Sequence, residues 1–272
     1  MMSTGVLKKA PFLAYLLVLW TTFTGALTAG LGQGFDLGTE WPGALYRLLA
    51  AVAAGSFEPI HRFSTVLAGA AVVIAFLKNR KSIYGAAALA ALVATALTGR
   101  VVLLALGGEV PKPLAYLVYP INNLAAFATA FFLLMLAVPE MPQWRRRILL
   151  RGAAFWSVVA SLTGAYILGV HKIDRSPFMY SLSLDPGSAP LLLHIAAGGL
   201  AAALTAAASV GGRGLWRPVL AGASLLQAAT GLAMYLGATA NTWAPGPQTA
   251  LHAVLAHLMA TTTLVAYLKS RG

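Results

Sequence analysis

Apolar residues in this chain fall in long unbroken blocks rather than in alternation with polar ones. Eight blocks stand out, at about 11–31, 59–77, 83–106, 115–138, 151–170, 190–210, 217–238 and 250–268. Each is close to the roughly 20 residues that a helix needs to cross a bilayer, and none carries the period-two pattern of a half-buried strand. The pattern predicts an all-α polytopic membrane protein with eight transmembrane helices. The connections at 32–58, 107–114, 171–189 and 239–249 hold the helix breakers, among them Trp41-Pro42, Pro111, Pro113, Asp185-Pro186, Pro245 and Pro247, with Pro190 at the edge of the sixth span. The first block follows Lys8-Lys9 and continues to about Gly30 with no clear small-x-small cleavage site before a soluble stretch, so it is read as a retained span.

The blocks repeat. Thr24-Gly25-Ala26 in the first recurs as Thr163-Gly164-Ala165 in the fifth, and Ala96-Leu97-Thr98-Gly99 in the third as Ala228-Ala229-Thr230-Gly231 in the seventh. The second and sixth each carry a histidine near one end, His61 and His194. Four crossings return a chain to its starting side, so the expected architecture is two tandem, pseudo-symmetric four-helix bundles, 1–144 and 145–272. Their Gly and Ala content suits close helix packing or a flat ligand held between helices.

Composition agrees, with 59% hydrophobic and 10% charged residues, against roughly 25% charged in soluble domains. The net charge of +12 changes meaning once the charges are placed. Lys8, Lys9, Lys78, Arg80, Lys81, Arg145, Arg146, Arg147, Arg151, Arg213, Arg217, Lys269 and Arg271 all fall on one side, 13 of the 19 basic residues. Basic loops stay on the cytoplasmic side. The expectation is therefore a plasma-membrane protein with both termini cytoplasmic and anionic lipid, not nucleic acid, as its charged partner. All acids but Glu140 lie on or at the edge of the opposite side. The chain has no cysteine, which excludes disulfides, thiolate ligands and thiol catalysis.

Chemistry concentrates in Glu58-Pro59-Ile60-His61-Arg62, at the head of the second span. Ionisable groups near hydrocarbon are costly unless paired or ligating. Glu58 and His61 lie three apart on one helical face, a metal or cofactor ligand beside an acid–base group. Glu58 fits that role, or a salt bridge to Arg62, or a helix cap. His194 and His252 head the sixth and eighth spans at similar depth, and two imidazoles facing across a four-helix bundle make a bis-histidine haem site. His257 is the alternative ligand. It lies roughly 140° around the helix from His252, so the two cannot share one iron, and His252 matches the depth of His194 better. His171 is read as a solvated loop residue. In the first half His61 has no histidine opposite it. The corresponding stretch reads Tyr119-Pro120-Ile121-Asn122-Asn123, so a haem there has one protein ligand and an open position. Arg62 and Arg100 are candidates to pair with haem propionates, and Arg100 alternatively to neutralise Glu58. Trp41, Tyr116, Tyr119, Tyr180 and Trp243 are read as interfacial anchors. No zinc-type Cys–His or His-Glu-x-x-His spacing is present.

The order and spacing of these residues resemble the haem A synthase family over essentially the whole chain. The carriers are Thr24-Gly25-Ala26-Leu27-Thr28, Gly32-Gln33-Gly34, Glu40-Trp41-Pro42, Glu58-x-x-His61-Arg62, Leu226-Gln227-x-x-Thr230-Gly231, and the positions of His194 and His252. The resemblance implies oxidation of the C8 methyl of haem O to a formyl group with water-derived oxygen, for terminal-oxidase cofactor synthesis. His61 would ligate the substrate iron, Glu58 would be the catalytic carboxylate, and haem b between His194 and His252 would pass electrons on. Haem O synthase and the oxidase assembly machinery are the implied partners. The chain departs from the family at its loop cysteines, where Asp36, Leu37 and Ala44 stand, and at Asn122 or Asn123 in place of a histidine. Two other readings use the same residues: a non-catalytic membrane haem-b electron carrier, and a haem transporter.

Overall fold

A computed structural model describes residues 8–41, 43–141, 144–174, 189–212, 214–239 and 246–270. Among the described residues there are nine α-helices and, apart from one bridge between Met141 and Ser270, no β-structure. They are α1 (Lys9–Gly30), α2 (Leu45–Ala53), α3 (Glu58–Lys78), α4 (Ile83–Leu106), α5 (Lys112–Ala137), α6 (Arg147–Asp174), α7 (Ala189–Val210), α8 (Trp216–Thr239) and α9 (Pro247–Lys269). All but α2 are long and apolar enough to span a membrane, which makes this a multi-pass, all-helical membrane protein. Tyr180, Trp243, Pro42, Asp185-Pro186 and Pro245 lie outside the described residues.

The spans close into two rings. In the first, α1 packs on α3, α3 on α4, α4 on α5 and α5 back on α1; in the second, α6, α7, α8 and α9 repeat the circuit. The rings join through α5 on α6, α1 on α9, and α5 on α9. The first two contacts exchange under the rotation that relates the halves, and the third pairs equivalent helices, which puts α5 and α9 at the pseudo-twofold axis. Hydrophobic burial does not drive helices together in lipid, so close approach of small residues must. Gly169 of α6 illustrates this. Its Cβ position lies 3.1 Å from Tyr119 Cβ and 3.2 Å from the Tyr116 carbonyl oxygen. Pro120 has no N–H to give that carbonyl, so this turn of α5 leaves it facing the neighbouring bundle. Tyr116 packs edge-on to Tyr166, and its hydroxyl donates to Asp174. Tyr116 and Tyr119 are therefore inter-bundle contacts, not the lipid anchors their sequence positions suggested. Trp41, 54% exposed, is compatible with the anchor role.

The densest apolar core, including Leu133, Leu134, Val138, Leu150, Leu220 and Val265, fills the half of the molecule towards the basic connections. The histidines occupy the other half, beneath the face that carries the longer loops. Two elements of that loop-rich face differ from expectation. The sequence placed His171 in a loop, but α6 continues through it to Asp174. The 32–58 connection contains α2, too short to register as a span and bracketed by Gly43 and Gly55 at φ +98° and +82°. Leu45, Leu49 and Val52 form an exposed stripe along it, while Arg47, Ala50, Ala51 and Ala54 line a 670 Å³ cleft shared with Gln33, Asp36 and Ser56.

Candidate functional site

One local structure occurs four times, once per pair of neighbouring helices. In α1, α4, α6 and α8 a Thr-Gly step turns towards the next span. Each threonine hydroxyl donates to the carbonyl three residues back: Thr24 to Thr21 (3.1 Å), Thr98 to Thr95 (3.2 Å), Thr163 to Ala160 (3.1 Å) and Thr230 to Gln227 (3.1 Å). Against each glycine lies one polar side chain from the following span. A Cβ on Gly25 would stand 2.8 Å from His61 Cε1, on Gly164 2.8 Å from His194 Cε1, on Gly231 3.1 Å from His252 Cε1, and on Gly99 3.6 Å from Asn122 Nδ2. The glycines are seats for imidazole rings. The fourth seat holds Asn122.

Each seat also fixes its side chain's protonation. His194 Nδ1 lies 2.8 Å from the Ala160 carbonyl, an acceptor, so Nδ1 carries the proton and Nε2 keeps its lone pair. His61 Nδ1 is 3.2 Å from Thr24 Oγ1 and is also hydrogen-bonded to the Thr21 backbone. His252 Nδ1 is 3.2 Å from Thr230 Oγ1, and the Gln227 amide nitrogen sits 3.2 Å from Nε2 as its donor. Histidines that ligate metals typically give their other N–H to a carbonyl or similar acceptor in this way.

The His194 and His252 rings face each other from α7 and α9, centroids 6.0 Å apart. A metal bridging two imidazole nitrogens needs about 6.3 Å, from bonds of ~2.0–2.1 Å and about 1.1 Å from each nitrogen to its ring centre. The 6.0 Å separation is close to that spacing, so His194 and His252 would be the residues to hold one iron, the Gln227 amide giving up its bond to His252 Nε2. Among the described residues no group of three or more His, Asp or Glu converges.

In the first bundle His61 on α3 and Asn122 on α5 hold the registers of that pair. Asn123, the other sequence candidate, turns away and donates to Ser161 Oγ at 2.8 Å across the bundle interface. His257 also lies away from His194. It is 2% exposed and meets Phe127 edge-on at 6.2 Å, at the axis between bundles. Its Nδ1 contacts the Ala253 carbonyl, and its Nε2 is buried without a hydrogen-bond partner, near the Asn123 backbone. The structure pairs His252, not His257, with His194.

Glu58 and Arg62 form a buried ion pair, 2% and 3% exposed, with Arg62 Nε 2.9 Å from Glu58 Oε1. Glu58 Oε2 accepts the backbone N–H groups of Asp36 (2.7 Å) and Leu37 (3.2 Å). Arg62 donates further to the carbonyls of Gly38 and Glu40, and Arg100 to that of Thr39. Lys172 of the second bundle reaches the Gln33 carbonyl at 2.7 Å. The loop from 33 to 40 is thus clamped over the first bundle from α3, α4 and α6. Arg62 and Arg100, expected on propionates, are engaged with this loop here, and Arg100 does not neutralise Glu58. Loop carbonyls leave no mark in a sequence, so these partners had no signal there. The four Thr-Gly seats did, as a repeated Thr-Gly one span ahead of each site residue. No protein-family model matches the chain, and no curated protein matches it in sequence.

Proposed function

We propose that this protein is a membrane haem oxidoreductase of the haem A synthase kind, with a resident haem b in the second bundle and a haem O substrate in the first. The observation that carries the reading is the His194–His252 pair, ring centroids 6.0 Å apart, with the His194 Nε2 lone pair free and that of His252 held only by the Gln227 amide, which a metal would displace. The concentration of basic residues on the opposite face supports an orientation with both termini cytoplasmic and the haem sites towards the outside of the plasma membrane.

When bound, haem b supplies one-electron transfer. His194 and His252 would hold it, and Thr163, Thr230 and the Ala160 carbonyl keep the proton of both imidazoles on Nδ1. His61, seated on Gly25 and Thr24, anchors the substrate. Converting the methyl group to formyl consumes one water and releases four protons and four electrons, so the site needs a proton acceptor as well as an electron exit. Glu58 is one turn from His61. In the clamped loop its carboxylate is fully hydrogen-bonded, so a proton reaches Oε2 in exchange for the Asp36 and Leu37 N–H groups, coupling proton uptake to loop release. Arg62 and Arg100 become available to carboxylates of a bound substrate in the same movement.

The test is expression beside a haem O source, followed by extraction and mass measurement of the haems. Haem A or its hydroxylated precursor, absent in Glu58→Ala, supports the proposal. Haem O and haem B alone, in fully loaded protein with Glu58 intact, would sink it. That second result matches a non-catalytic haem-b electron carrier, which one observation favours: Glu58 already has a structural task as the loop's anchor.

A further inference from the structure

We infer that Asn122 makes the seat opposite His61 a small-molecule site, leaving one face of a haem held there open to water and to exogenous ligands. The inference rests on the haem reading above and concerns what this chain has done to one of its four seats.

The Asn122 carboxamide keeps the second-shell half of an imidazole and lacks the ligating half. Its Nδ2 donates to the Thr95 carbonyl and to Thr98 Oγ1, both at 2.9 Å. Those are the acceptors that, in the equivalent seats, take the Nδ1–H of histidine. No atom then extends to the place of Nε2. A carboxamide oxygen is also a poor ligand for iron compared with imidazole nitrogen. Asn122 is only half-buried and both of these bonds run through Nδ2, which leaves Oδ1 facing the site for a donor. A carboxamide oxygen in a membrane-spanning helix calls for a donor. The missing part of the ring is comparable to a water, which takes about 30 Å³. Water bonded to Oδ1 fills the space and meets the acceptor. An apolar replacement would have emptied the seat and abandoned Thr98, and histidine would have closed the face. Asparagine keeps the frame and leaves the vacancy polar.

Optical titration of the detergent-purified holoprotein with carbon monoxide, after reduction, tests this. One of the two haems should bind the gas, and its ferric form should be high-spin. Asn122→His should abolish binding and add a second low-spin haem. Asn122→Gly with free imidazole should give the same low-spin signal, which covers failure of the histidine variant to fold. Wild-type protein loaded at both sites, low-spin throughout and inert to carbon monoxide, overturns the inference and leaves the haem reading intact. Haem content unchanged in His61→Ala overturns the haem reading itself.

Discussion

Alanine substitution at the four seat glycines should affect the sites in a graded order set by the spacing at each seat. Ordinary contact to a Cβ begins near 3.4 Å; alanine at Gly164 or Gly25 falls 0.6 Å short of it against imidazole Cε1, alanine at Gly231 0.3 Å short, and alanine at Gly99 clears it at 3.6 Å. Metal–ligand bonds tolerate roughly ±0.2 Å. Gly164→Ala must therefore push the His194 ring out of coordination range or strain the helix pair by an overpacking cost of about 1–3 kcal/mol. At 1.4 kcal/mol per decade, haem affinity at that site falls by roughly 5- to 150-fold. Gly231→Ala should lie at the low end of that range, and Gly99→Ala should leave haem content unchanged. Gly199, with nothing within 4 Å of its Cβ position, is the control for the backbone effect of adding a methyl group. Haem titration of purified variants, followed by the low-spin Soret band, measures the series. Equal affinity in Gly164→Ala and Gly99→Ala would refute the claim that these glycines seat imidazoles.

Two further outcomes follow from the same geometry. His252→Ala should remove the low-spin haem of the second bundle while His257→Phe retains it, as read by haem content and the low-spin spectrum; loss in both would place the ligand differently. Arg62→Leu leaves Glu58 buried and unpaired and should cost about 3–5 kcal/mol, whereas replacing both partners by leucine should cost much less; thermal unfolding in detergent and proteolysis within 33–44 should show the single variant as the worse of the two.

The spans were legible because length and polarity alone decide them, and the tandem plan because two Thr-Gly steps and a histidine recur in order. His61 and His194 stood out for the same reason, and His252 by its matching depth on the eighth span. What the sequence could not separate were pairs adjacent on one helix. Asn122 and Asn123 differ by one residue and face different bundles. His252 and His257 lie on one span, one towards His194 and the other towards the pseudo-twofold axis. Periodicity narrows such choices, but the helix rotation that settles them comes from packing across the bundle. Arg62 and Arg100 were referred to propionates because guanidinium groups recognise carboxylates, and the alternative of an Arg62 salt bridge to Glu58 is the one present. Their acceptors are main-chain carbonyls of a loop 22 to 61 residues away, which any sequence could supply. Helix α2 was missed because nine residues between two glycines resemble a loop with a few apolar side chains.

The equivalences between bundles also show what separates the two sites. Where the first site has Glu58, Arg62 and Arg100, the second has Leu191, Ile195 and Leu232 at the matching registers, with Ile195 and Leu232 turned to the surface. A buried ion pair is a poor investment in stability, since well-packed apolar residues generally do as well or better. At these three positions the second bundle has made that apolar choice. The first bundle keeps three charges and bonds all of them to one clamped loop. It also gives up an imidazole at Asn122. A site that must admit a carboxylate-bearing molecule, release protons from it and let it go needs movable countercharges and an iron face not already taken. The two departures, charges at one end of the pocket and an asparagine within it, are accounted for together if substrate turns over in the first bundle and the second serves it.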